Sequence, residues 1–121
     1  MFSILAIAAI VIVAVLHLGF FVLESFLWTK PAGRRIFGLT PEVAESSASL
    51  ALNQGLYNAF LASGLVWSLF SDVCSLDIKI FFLSCVIVAG IVGGITAKRS
   101  ILMIQALPGV VALLLVFLAR R

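Results

Sequence analysis

The sequence is short of charge, cysteine and histidine, and each shortage closes off a class of function. Only 11% of its 121 residues are Asp, Glu, Lys or Arg, whereas 64% are hydrophobic. A soluble domain carries about 25% charged and about 45–50% apolar residues. A soluble chain of this size has no interior large enough to hide such a surplus, because small domains leave much of their surface exposed. Two cysteines, Cys74 and Cys85, are too few for a disulfide framework, and with no CxxC or CxxH spacing they read as unpaired thiols. A single histidine, His17, with one Glu two turns away does not make a metal site, so neither a metal nor a cofactor is expected. No Lys or Arg precedes Lys30, and the opening apolar run is longer than the core of a cleaved signal peptide. That run is expected to stay as a helix.

What remains is a series of long apolar runs broken by short polar stretches. Read in order, they predict an all-α protein: a four-transmembrane-helix bundle of up-down topology, forming one domain. The approximate spans are 2–28, 46–70, 78–97 and 101–119. Each of the longer runs is enough to cross roughly 30 Å of hydrocarbon with some tilt. Thr29 to Arg35 is polar and turn-rich. Thr40-Pro41-Glu42 restarts a helix with an N-cap, a proline at the first helical position and an acid in the first turn. Continued to Phe70, that helix is too long for the bilayer, so its first turns should project out of it. Gly90, Gly93 and Gly94 in the third run let helix backbones approach closely, either within one chain or in a homodimer. Pro108 should kink the fourth run or loosen its hydrogen bonding.

The formal net charge of +3 does not point to nucleic acid, because the basic residues lie between apolar runs as topology signals and head-group contacts. Lys30, Arg34, Arg35, Lys98 and Arg99 fall on one side, Lys79, Arg120 and Arg121 on the other. The positive-inside rule therefore places the first and third loops in the cytoplasm and both termini outside, in a multi-pass membrane protein.

Polar side chains inside a bilayer are costly and each needs a reason. His17 and Glu24 lie two turns apart on one face of the first span, about 10 Å along its axis. The second span offers Asn53, Gln54, Tyr57 and Asn58 as an arc of amides and a phenol. Gln105 on the fourth span and Thr96 on the third fall near the same, cytoplasmic level. These residues predict a polar pocket in the cytoplasmic half of the bundle, binding a small or amphipathic ligand. Glu24 would be its charged or proton-accepting group. Alternatively, the same groups are hydrogen-bonding glue between helices, at around 0.6–2 kcal/mol each. Other readings are a small membrane enzyme with Glu24 and His17 as an acid–base pair on a lipid-soluble substrate, an accessory subunit, or a small transporter. An accessory subunit would turn its polar groups outwards.

Three stretches resemble the DUF1304 family of small bacterial integral membrane proteins: Glu24-Ser25-Phe26-Leu27-Trp28-Thr29, Gly33-Arg34-Arg35-Ile36-Phe37-Gly38-Leu39, and Asn53-Gln54-Gly55-Leu56-Tyr57-Asn58-Ala59-Phe60-Leu61-Ala62. His17, Gln105 and Pro108 fit the same pattern. The resemblance covers essentially the whole chain. It implies a four-span membrane protein and, the family being one of unknown function, no reaction.

Overall fold

The computed structural model describes residues 1–120 and is all-α, with no strand among the described residues. Helix α1 covers Phe2–Phe26, α2 Pro31–Phe37, α3 Pro41–Phe70 and α4 Ser75–Thr96; a π-helical turn, Leu102–Ala106, leads into α5, Leu107–Leu118. Two of these, α1 and α4, are long and apolar enough to cross a membrane by length and composition, and residues 102–118 form a shorter apolar helix. That is two qualifying helices where the sequence predicts four spans. The first half of α3, with Glu42, Glu45, Ser46, Ser47, Ser49, Asn53 and Gln54, is too polar to qualify.

The chain divides into two compact units: residues 1–16 together with the chain from 61 onwards, and residues 17–60. The first unit holds an apolar core in which Ile10, Leu65, Leu83, Val86 and Ala112 are completely buried, with Val13 and Val116 beside them. Around that core, α4 meets the π-turn and α5 at near-backbone distance. A methyl group added at Gly90 would lie 2.6 Å from the Ala106 nitrogen, and one at Gly94 would lie 2.3 Å from Leu102 Cγ. The glycines of α4 thus form a seam within one chain. The π-turn stands where Pro108 was expected to loosen the helix: the Leu107 N–H reaches back five residues to the Leu102 carbonyl. Proline has no N–H and crowds the carbonyl four residues before it, so a wider turn is the natural response.

Two boundaries differ from the sequence reading. Residues taken as a turn form α2, which starts with Pro31 at its first position and ends on Gly38 in the left-handed conformation (φ 66°). A proline start and a left-handed glycine stop are a standard helix frame, here only seven residues long. Helix α4 begins at Ser75 and not near Ile78, because Cys74 takes a positive φ of 62° and turns the chain early. The start of α3 follows expectation: the Thr40 hydroxyl accepts from the Val43 N–H at 3.3 Å.

Candidate functional site

The second unit, residues 17–60, packs the end of α1 and the short α2 against the first two-thirds of α3. Its interior face on α3 is built from small residues at helical spacing: Ala44, Ala51, Gly55 and Asn58 are all buried. Ser47, also on this side, receives the Trp28 indole N–H at 3.0 Å and passes its own hydroxyl proton to the Val43 carbonyl at 2.6 Å. Further along, a methyl added at Gly55 would sit 2.3 Å from Ser25 Oγ and 3.2 Å from the Phe21 carbonyl oxygen. The two helices therefore nearly touch, and only a glycine fits there. Gly33 plays the same part for α2, where an added methyl would fall 1.9 Å from the Leu27 carbonyl oxygen. Trp28 closes this end by lying against Phe37, with ring centroids 4.7 Å apart.

One polar pair lies on the α1–α3 seam. Asn58, 4% exposed, donates from Nδ2 to Glu24 Oε2 at 2.6 Å. The same amide nitrogen reaches the Gln54 carbonyl at 3.3 Å, one turn back on its own helix. Both amide protons are thereby committed, one to the carboxylate and one to the backbone. A bond to an ionised carboxylate is shorter and stronger than a neutral one. Glu24 itself is half-buried, and its carboxyl group is held by Asn58. His17 is 1% exposed, and its ring meets Phe20 edge-on at 5.8 Å and 85°. It remains two helical turns from Glu24, too far for a direct proton exchange in a straight helix.

The remaining sequence-predicted residues lie elsewhere. Asn53, Gln54 and Tyr57 are exposed, Tyr57 at 56%. At about 100° per residue, Asn58 stands roughly 140° around α3 from Asn53, so the four polar groups span too wide an arc to share one side. Asn58 takes the inner edge and the other three the outer. Gln105 is in the first unit, half-buried within the π-turn. Thr96, exposed, bonds its hydroxyl to the Val92 carbonyl of its own helix at 2.8 Å. Trp28, Ser47 and Gly55 were missed as parts of this seam. For Ser47 and Gly55 the sequence does carry a signal, since Ala44, Ser47, Ala51 and Gly55 recur at spacings of three, four and four along one side of α3. Among the described residues no three His, Cys, Asp or Glu side chains gather as metal ligands would.

Comparison with known proteins agrees with the resemblance seen in the sequence. A family model described as "Protein of unknown function (DUF1304)" matches residues 11–117. The chain is similar to "Uncharacterized protein YpaA" of Lactococcus lactis subsp. lactis (strain IL1403), with 28% identity over 114 residues, covering 93% of this chain and 96% of that protein. No solved structure matches.

Proposed function

The chain belongs to the DUF1304 family, and from that premise we propose a multi-pass protein of the bacterial inner membrane that binds a small or amphipathic ligand at Glu24. The reading has four spans with both termini outside, α2 and the start of α3 in the cytoplasm, and Glu24 in the cytoplasmic half. Exposed apolar side chains support the membrane part. Along α1 and α4, Ile4 is 73% exposed, Val88 60% and Ile95 77%. Large apolar side chains standing outwards along whole helices are costly in water and at home in lipid.

The observation that carries the ligand reading is the Glu24–Asn58 bond of 2.6 Å. A carboxylate is expensive near hydrocarbon unless a partner holds it, and such groups usually mark functional sites. Asn58 orients this one while leaving it partly exposed, as a receptor for a cationic or hydrogen-donating head group requires. The test uses purified protein in detergent with dodecylammonium as probe. Dodecylammonium should raise the melting temperature of the wild type and leave that of Glu24→Gln unchanged. Equal shifts in both would mean that Glu24 only fastens α1 to α3. Membrane integration is tested separately, since protein extracted by alkaline carbonate would not be spanning the bilayer.

The outward orientation of Asn53, Gln54 and Tyr57 favours a second reading, an accessory subunit or homodimer. Amides both donate and accept, so they can pair with a partner helix or with their own equivalents across a two-fold axis. Cross-linking through a cysteine placed at position 53 would detect that contact. An acid–base enzyme is less well supported, because His17 and Glu24 stand two turns apart, and a small transporter has few polar groups outside the cytoplasmic half.

A further inference from the structure

The first unit contains a cleft of about 310 Å³ that is chemically the reverse of the Glu24 region. Lys79, Arg120, Ser3 and Ser75 supply its polar lining. Its accessible apolar wall is Ile7 from α1, Leu76 from α4 and Ala119 just past α5. No acid is among its lining residues.

The Lys79 ammonium is fixed by a relay. Its Nζ donates to Ser75 Oγ at 2.8 Å, and that hydroxyl donates to the Ser68 carbonyl at 2.8 Å. The relay occupies one of the three ammonium protons and leaves two. Ser75 and Leu76 also open α4, whose first N–H groups have no partners within the helix and which carries positive dipole charge at this end. Two cations, a helix start and an apolar wall in one cleft are complementary to a single kind of molecule.

We propose that this cleft binds an anionic amphiphile, its phosphate or carboxylate head between Lys79 and Arg120 and its alkyl chain along Ile7, Leu76 and Ala119. Such a site accounts for two of the three basic residues that stand on the side opposed by the positive-inside rule. They are there to hold an anion, and the majority of basic residues on the other side still sets the topology. A volume of about 310 Å³ is at the lower end for ligand sites. It holds a head group and the first part of a chain, with the remainder lying along the exposed apolar surface. The inference rests on the membrane reading above but not on the Glu24 site. Failure of membrane integration shows in carbonate extraction, whereas failure here shows only in binding.

The test compares four probes on the full chain in neutral detergent, read by melting temperature and by native mass spectrometry. The probes are phosphatidylglycerol, decanoate, phosphatidylcholine and inorganic phosphate. Phosphatidylglycerol or decanoate should bind and stabilise; whichever does so more strongly identifies the head group. Phosphatidylcholine should not, having the chains without the net charge. Removing both charges in Lys79→Gln/Arg120→Gln should weaken binding about 30-fold. Lys79→Arg should retain it, and Lys30→Gln/Arg99→Gln, which removes two charges outside the cleft, should leave it unchanged. Inorganic phosphate stabilising as well as phosphatidylglycerol would overturn the amphiphile, leaving a plain anion site. Equal binding by wild type and the Lys79/Arg120 double variant, when both are equally helical by circular dichroism, would overturn the site itself.

Discussion

Replacing Asn58 by Ala tests whether the α1–α3 seam depends on the Glu24–Asn58 pair. The substitution removes the donor 2.6 Å from Glu24 Oε2 and leaves the carboxylate partly buried with that bond broken. Hydrogen bonds to charged groups contribute about 1.5–3 kcal/mol in soluble proteins. Interhelical bonds in a membrane average about 0.6 and reach about 1.7 kcal/mol, because separated helices find other partners. Asn58 is almost fully buried and its bond is short, so on the membrane reading proposed above the bond belongs in the upper part of that range. Asn58→Ala should cost about 1–2 kcal/mol, measured as unfolding free energy in mixed micelles titrated with dodecyl sulfate. The decisive quantity is the coupling in the cycle with Glu24→Ala. The double variant should be more stable than the sum of the single losses predicts, by about 1–2 kcal/mol, because removing both partners leaves no unsatisfied carboxylate. Glu24→Gln should lose less than either, since a glutamine carbonyl accepts the same bond. Single losses that simply add, within about 0.3–0.5 kcal/mol, would refute the coupling and with it the claim that Asn58 holds Glu24 in place.

Gly33→Ala should destabilise the second unit by about 1–3 kcal/mol or more, because backbone atoms of Leu27 cannot retreat as a side-chain end can. Protease resistance of the segment between α1 and α3 would show it. Ser25→Ala should be neutral or stabilising by up to about 1 kcal/mol, since the buried Ser25 Oγ has no hydrogen-bond partner in the structure. A clear loss in the same unfolding titration would mean that the hydroxyl is satisfied by something else. At the start of α3, the carboxyl of Glu42 is held below its ordinary value of 4.5, first by its own backbone N–H and then by the Thr40 hydroxyl. A lowered value stabilises the folded form above the ordinary one, and that support is lost as pH falls through it. Amide exchange at Val43 and Ala44 should therefore quicken relative to the helix interior once pH drops below about 4.5. A Thr40→Ala variant should lose the protection at higher pH.

The sequence alone was enough to determine what depends on neighbours along the chain. Apolar runs made α1 and α4 helical, Thr40 capped α3, and Pro108 opened the turn before α5. Composition also supplied the high apolar content, 64% of the residues, on which the membrane reading rests. Each of these follows from local sterics, backbone hydrogen bonding or solvation, which need no knowledge of the partner helix. Helix α2 was within reach by the same rules, since Pro31 and Gly38 frame it, but its polar composition disguised it as a turn.

Rotation of each helix about its own axis was decided only by tertiary packing. Asn53, Gln54, Tyr57 and Asn58 are polar neighbours in sequence, yet only Asn58 is buried. What selects it is the close approach of α1 to α3 at Gly55, which lets small residues line the seam and leaves no room for Gln54 or Tyr57 there. The glycines of α4 likewise do not name their partner, and the structure pairs them with the π-turn of the same chain. The cleft around Lys79 and Arg120 lay outside the sequence reading altogether, because its lining comes from three stretches of chain far apart in sequence. Periodicity tells which residues of a helix share a face; only contact with another helix tells which way that face is turned.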